Sequence, residues 1–344
     1  MVSMRTHTDY MQHALRLAAT HTGCTGSNPA VGCVVVNHDQ IVGTGISARG
    51  GGRPHAETQA LAMAGDAARG ATVYVTLEPC SHTGQTGPCA DALIAAGVAQ
   101  VICALRDPDP RVNGRGIARL QEAGIVVVEN IETQAALRQM EGFVRHRTQH
   151  RPFISLKLAT TMDGYLANAA GVSQWITGED ARQFGHLLRS RHDAILTGSG
   201  TWFADHPHLN CRLPGLEDAS PKRYIADRRR RIAQTEEVTL LHDYKSIADM
   251  VGQLANEGVT RLLVEAGGKL TTAFLASGLV DELYWFQAPI WFGKGALPAL
   301  QDFPLQSPAE LARATRLATH HFHHDICQHL RLTEYPCLPA SSQT

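Results

Sequence analysis

No apolar run in this chain approaches the roughly 18–20 residues that a membrane-spanning helix needs, so a protein that works outside the bilayer is expected. Aromatic residues make up only 6% of it, and no basic stretch is interleaved with them, so the stacking platforms of single-stranded nucleic-acid binders are missing. Charge is nearly balanced, with a net of −1, which removes any general attraction to nucleic acid or an acidic membrane. The cysteines at 24, 33, 80, 89, 103, 211, 327 and 337 do not follow the spacing of a small disulfide framework. The first residues, M-V-S-M-R-T-H-T-D-Y, lack the apolar core of a secretory signal. A reducing cytoplasm, a small-molecule substrate, and neither nucleic acid nor membrane as partner are therefore the expectation.

What is present begins with length. A chain of 344 residues with 44% hydrophobic content is large enough for two ordinary cores. Its densest chemistry lies between His55 and Cys89, in P-H-A-E, a strand-like T-V-Y-V-T-L and E-P-C-S-H-T-G-Q-T-G-P-C. A catalytic zinc site takes three protein ligands and keeps a fourth position for water, whose pKa the metal lowers to about 7. His55, Cys80 and Cys89 supply that count, and Glu57 is the proton carrier between water and leaving amine. Zinc deaminases in general carry H-x-E followed by P-C-x-x-C; here eight residues separate the two cysteines. His55 and Cys89 each open an apolar-periodic run that reads as a helix, so both sit at the positive end of a helix dipole, which favours thiolate.

Along the chain, a helix over 10–20 precedes a strand over 31–36, a turn and a second strand over 41–45. Asn28 reads equally as a polar group facing a substrate or as an Asx-turn. Beyond Cys89 come a strand over 100–104, a polar loop D-P-D-P-R-V-N-G-R-G at 107–116, a helix over 116–123 and a strand over 125–128. The alternation implies an α/β sandwich on a central, mostly parallel sheet. The basic stretch F-V-R-H-R-T-Q-H-R-P at 143–152 reads as a solvated linker between domains 1–148 and 149–344. The pattern then restarts with strands near 153–159, 194–197, 224–226, 238–241, 261–265 and 282–286, and helices over 180–190, 247–257 and 269–278. Gly267 and Gly268 form a strand–Gly–Gly–helix turn that suits a phosphate or serves simply as a tight turn. It is not a G-x-G-x-x-G fingerprint. The run H-H-F-H-H at 320–324 reads as a solvated tail. The four arginines at 228–231 read as a solvated turn or, alternatively, a seat for a cofactor phosphate.

These motifs together resemble the bifunctional riboflavin-biosynthesis deaminase/reductase family. The first half is similar in S-N-P-A-V-G-C-V-V, P-H-A-E, V-T-L-E-P-C-S-H-T-G-Q-T-G-P-C and D-P-D-P-R-V-N-G-R-G. The second is similar in L-K-L-A, M-D-G, S-Q-W-I-T-G, A-I-L-T-G-S-G-T, D-H-P-H-L-N-C-R, L-V-E-A-G-G and V-D-E-L. The resemblance implies an N-terminal cytidine-deaminase-like α/β/α sandwich and a C-terminal dihydrofolate-reductase-like α/β domain. It implies zinc (Zn2+)-dependent deamination of a phosphoribosylated diamino-pyrimidinone, then NADPH-dependent reduction of its ribosyl chain to ribityl. By the same resemblance Lys157, Ser173, Arg189, Leu209, Arg212 and Glu265 face the substrate, the two arginines being suited to its phosphate. Ala159, Trp175, Thr177, Thr201, Asp205, Gly267 and Gly268 fall at cofactor positions. The chain departs from the family at 45–48, where a histidine is usual and Ser47 stands, and at Arg228. A homo-oligomer is expected. The competing readings are a zinc nucleoside or tRNA deaminase and a chain whose C-terminal half is a non-catalytic module.

Overall fold

A computed structural model describes residues 6–81, 87–110, 112–233, 237–303 and 314–336. The chain divides into two compact units, one comprising the residues up to Gln149 together with Tyr335 and Pro336, the other His150–Glu334. Among the described residues no helix is long and apolar enough to cross a membrane.

The first unit is built on a five-stranded sheet in the order β2-β1-β3-β4-β5. Its strands are β1 (Gly32–Asn37), β2 (Gln40–Ile46), β3 (Thr72–Val75), β4 (Gln100–Cys103) and β5 (Val126–Glu129). His38 and Asp39 take left-handed φ angles of 48° and 60°, the geometry of a two-residue hairpin turn whose twist matches its strands, so β1 and β2 pair antiparallel. β3, β4 and β5 run parallel, each pair joined through a helix: α3 (Cys89–Ala96) and α4 (Arg115–Glu122). The helices α1 (His7–Ala19), α2 (Ala56–Ala64) and α5 (Thr133–Gln149) complete the sandwich. α2 lies unusually close to the sheet. Apart from Glu57 its buried residues are alanines (Ala56, Ala60, Ala64), and a Cβ on Gly45 would come 2.0 Å from the Ala56 carbonyl oxygen. That approach fixes the start of α2, and with it His55.

The stretch at 143–152, expected as a solvated linker, is instead mostly the last turns of α5. Ala136, Leu137, Met140, Phe143 and Val144 are buried along one face, a 3.6-residue period that the basic residues disguise. Arg145 is itself buried (3% exposed) because Glu141, one turn earlier and 1% exposed, pairs with it at 2.7 Å. Tyr335 returns to this unit, packing against its core with the Arg138 guanidinium 5.4 Å from its ring centroid.

The second unit carries an eight-stranded sheet in the order β10-β9-β8-β11-β6-β12-β15-β14, beside a small β7–β13 pair. The strands are β6 (Phe153–Thr161), β7 (Tyr165–Ala167), β8 (Ala194–Gly198), β9 (Lys222–Ala226), β10 (Thr239–Leu241), β11 (Arg261–Val264), β12 (Glu282–Ala288), β13 (Leu297–Pro298), β14 (Thr315–Phe322) and β15 (Asp325–Arg331). From β10 to β12 neighbouring strands are parallel; β15 and β14 add antiparallel. The helices are α6 (Glu179–Ser190), α7 (Ser199–Asp205), α8 (Ile247–Asn256) and α9 (Gly268–Ala276). The histidine-rich run expected as a solvated tail is an edge strand and its turn. His320 stacks 4.8 Å from the Phe184 ring of α6, so aromatic packing on one face of β14 orders a segment whose composition looks merely polar. The chain passes from β6 to β8 and only later returns to insert β11 between them; open α/β sheets bind ligands at the C-terminal ends of strands where the strand order reverses.

Candidate active sites

In the first unit three elements aim at one point. His55 is the N-cap of α2, Cys89 is the first residue of α3 after Pro88, and Cys80 follows β3. Their donor atoms all lie within 4.8 Å of one another. His55 Nδ1 is 3.1 Å from Cys89 Sγ and 3.7 Å from Cys80 Sγ, and the Cys89 backbone N–H donates to Cys80 Sγ at 3.3 Å. Residues 82–86, between the cysteines, lie outside the described residues.

The electrostatics of this cluster are unfinished. The hydrogen bond from Cys89 holds the Cys80 thiol down at about 3, helped by His55 against the opposing effect of burial. Cys89 is pushed far up, first by Cys80 and then by burial. The hydrogen bond to Cys80 raises His55, and burial raises Glu57, which is 4% exposed in the first turn of α2. Two sulfurs and an imidazole nitrogen crowded to these distances, with a buried carboxylate beside them, match the donor set of a zinc that keeps an open position. A divalent cation would take both sulfurs as thiolates.

Glu78, which the motif reading passed over, organises the wall behind this point. Its buried carboxylate accepts from the backbone N–H groups of Asp107 (3.2 Å), Gly114 (2.9 Å), Gly116 (3.0 Å) and Ile117 (3.4 Å). This ties the 107–116 loop and the start of α4 to the strand end that leads into Cys80; Arg111 of that loop is outside the described residues. A Cβ on Gly116 would sit 1.9 Å from the Pro79 carbonyl oxygen, so the position admits only glycine. Burial raises Glu78 against the four amides and pushes Asp107 up to about 7. Asn28 has an exposed side chain, while its carbonyl accepts from Thr25 Oγ1 at 2.7 Å. Ser47, where the family pattern has histidine, spends its hydroxyl on the backbone: it accepts from Val31 N–H and donates to the Pro29 carbonyl, both at 2.9 Å.

In the second unit the expected residues fall into separate groups. Around the end of β11, Glu265 accepts a two-pronged pair from Arg189 of α6, at 2.8 and 2.9 Å. Burial would raise Glu265, yet Arg189, Lys157 and His186 together bring it down to about 2. Lys157 lies on the neighbouring β6; burial lowers its pKa while Glu265 opposes the shift, and its Nζ sits 5.5 Å from the Phe286 ring centroid. Arg189 also donates to the Asn210 carbonyl at 3.0 Å, and Arg212 donates to Asn210 Oδ1 at 2.9 Å. Leu209 is 2% exposed, with φ at 55°. Lys157, Arg189, Arg212 and Glu265 therefore form one cluster. Ser173 does not join its contacts; its hydroxyl donates to Asp205 Oδ1 at 3.2 Å, linking it to a cofactor position.

The remaining residues expected at the cofactor are spread over β6, the segment before α6, α7 and the start of α9. Thr201 Oγ1 accepts from Gly267 N–H at 3.0 Å, so one amide of the Gly–Gly turn is already engaged. Gly268 has a packing reason as well: a Cβ there would come 2.7 Å from the Pro298 carbonyl oxygen. Trp175 is 66% exposed, with the Arg182 guanidinium 4.5 Å from its ring centroid and donating to the Thr177 carbonyl at 2.7 Å. Ala159 sits two residues beyond Lys157 on β6, opposite Phe286. In the arginine run, Arg230 pairs with exposed Asp243, Arg228 lies over the Tyr244 ring, and Arg231 donates to Ser199 Oγ at 2.7 Å, at the start of α7.

Comparison with known proteins assigns both halves. Residues 4–105 match the family model for the cytidine and deoxycytidylate deaminase zinc-binding region, and residues 152–328 match that for the RibD C-terminal domain. The riboflavin biosynthesis protein RibD of Escherichia coli is 39% identical, with 93% of this chain and 98% of that protein covered. The Haemophilus influenzae protein of the same name is 38% identical, with 88% and 93% covered. Among solved structures, Acinetobacter baumannii RibD superposes with a TM-score of 0.88 at 35% identity, covering 95% of this chain and 99% of that one. A Thermotoga maritima diaminohydroxyphosphoribosylaminopyrimidine deaminase/5-amino-6-(5-phosphoribosylamino)uracil reductase gives 0.87 at 30% identity, with the same coverage.

Proposed function

The chain belongs to the RibD family of bifunctional, zinc- and NADPH-dependent deaminase/reductases of riboflavin biosynthesis, and from that premise we propose which of its own side chains perform each reaction. In the first unit His55, Cys80 and Cys89 would hold the metal, and a zinc held there would supply activation of the water that replaces the ring amine. Glu57 takes a proton from that water and returns it to the departing nitrogen, so that ammonia leaves as a neutral molecule. Burial suits it to the task, because a carboxylate whose pKa is raised toward neutrality both accepts and releases a proton readily. The 107–116 loop, anchored by Glu78, closes one side of the pocket.

In the second unit NADPH supplies the hydride that opens the ribosyl ring to ribityl. Ala159, Trp175, Thr177, Thr201, Asp205, Gly267 and Gly268 seat the cofactor along the strand ends. Lys157, Ser173, Arg189, Leu209, Arg212 and Glu265 seat the substrate, with the guanidiniums of Arg189 and Arg212 on its phosphate and Glu265 fixing Arg189. A homo-oligomer in the cytoplasm completes the reading.

The observation that carries the proposal is the convergence of one imidazole and two sulfurs within 4.8 Å beside a buried glutamate. It is tested by incubating the purified protein with zinc, NADPH and the phosphoribosylated diamino-pyrimidinone while following ammonia and NADPH in one sample. Ammonia release followed by NADPH oxidation is expected. NADPH oxidation without prior ammonia release would reverse the order proposed, and silence of both signals would refute the substrate.

A further inference from the structure

Helix α6 presents His186 and Arg189 one turn apart, on the same face, and both reach the loop that carries Arg212. Arg189 Nη1 donates to the Asn210 carbonyl at 3.0 Å. His186 Nδ1 lies 3.1 Å from that same carbonyl oxygen and 3.3 Å from the backbone N–H of Arg212. One ring nitrogen cannot donate to the carbonyl and accept from the amide at once, so the network selects the tautomer. If Nδ1 carried the proton, the Arg212 N–H would face another N–H. With the proton on Nε2, each group has a partner: Arg189 satisfies the carbonyl, and Nδ1 accepts from Arg212. Burial and the neighbouring Arg189 and Arg212 charges lower His186 against the opposing effects of the Asn210 carbonyl and Glu265, which favours the neutral ring; the choice of tautomer rests on the Arg212 amide, whose N–H finds its acceptor in Nδ1. Arg212 is then fixed at both ends, its backbone by His186 and its guanidinium by Asn210 Oδ1 at 2.9 Å, although its side chain is exposed.

We propose that His186 is a positioning residue for the reductase: as an acceptor through Nδ1 it holds the Arg212 backbone so that the Arg212 guanidinium meets the substrate phosphate alongside Arg189. The inference rests on the reading of Arg189 and Arg212 as the phosphate seat. Its test compares His186→Gln with His186→Asn in the full-length enzyme, measuring reductase kinetics with the deaminated phosphoribosyl substrate and with its dephosphorylated counterpart. Asparagine places an amide oxygen near the position of Nδ1; glutamine places it near Nε2. Losing one hydrogen bond to a charged residue's backbone corresponds to about a tenfold effect. His186→Gln is therefore expected to raise KM for the phosphorylated substrate about tenfold with kcat within about twofold, and to leave the dephosphorylated substrate unaffected. His186→Asn is expected to restore KM to within about threefold of the parent. Equal effects of both variants, or loss of kcat with both substrates, would overturn the role. Arg212→Ala provides the separate control: if it does not weaken preference for the phosphorylated substrate, the phosphate seat itself is wrong and the inference falls with it. Thermal melts of each variant show whether a kinetic change reflects folding.

Discussion

The two sites are complementary in charge. The deaminase centre gathers two sulfurs and the Glu57 carboxylate around a single imidazole, a donor set suited to a divalent metal. The reductase cluster gathers Lys157, Arg189 and Arg212 around the single carboxylate of Glu265, an excess of positive charge that accords with the phosphate seat proposed above. The sites also differ in what holds them together. Glu265 and Arg189 are paired at 2.8 Å, so the reductase cluster is tied together by opposite charge, whereas the deaminase donors are brought together by the starts of two helices and the end of a strand.

Removing a thiol should break this contrast most severely. Cys80→Ala is expected to lose zinc and all ammonia release while NADPH oxidation on deaminated substrate persists, as read by metal analysis and the two assays. Glu57→Gln should slow ammonia release by about 10²–10⁴-fold with zinc content unchanged, since the carboxylate moves protons without binding metal. On the reductase side, Arg189→Ala leaves the half-buried Glu265 without its two-pronged partner and with Lys157 left to offset its charge, and should cost about 1–3 kcal/mol of stability, measured by denaturant unfolding, together with a raised KM. Acid should sharpen the same point. Glu265 goes from an ordinary value of 4.5 to about 2 on folding, so its contribution, roughly 3 kcal/mol, is complete above about pH 4.5 and is lost as pH falls toward 2. Glu265→Gln should flatten that part of the pH–stability curve. The exposed pair of Arg230 and Asp243 provides the small end of the scale: Arg230→Ala should change stability by no more than about 0.5 kcal/mol.

The two sites were also unequally legible. His55, Glu57, Cys80 and Cys89 could be read from the chain because metal donors are chemically rare and cluster around one strand, β3. Lys157, Arg189, Arg212 and Glu265 are common residue types that only the fold brings together, and they were reachable only through the family motifs around them. Glu78 and His186 stayed hidden for a further reason: their partners are backbone amides, which leave no mark on residue identity. Most strands and helices formed close to where hydrophobic period placed them. The departures occurred at the basic end of α5, where a buried Glu141–Arg145 pair stands in for apolar residues, at β14, where histidines pack as aromatic rings, and at α7, β15 and the small β7–β13 pair, which hydrophobic period did not mark.

Tyr335 and Pro336 belong to the first unit although the whole second unit precedes them. In chain order the reductase is thus an insertion, entered at His150 and left after Glu334. A stop codon anywhere within it deprives the first unit of its own last residues, including the ring that Arg138 covers. Excising 150–334 and rejoining the ends, unlike a single cut, keeps Tyr335 with the core it packs against.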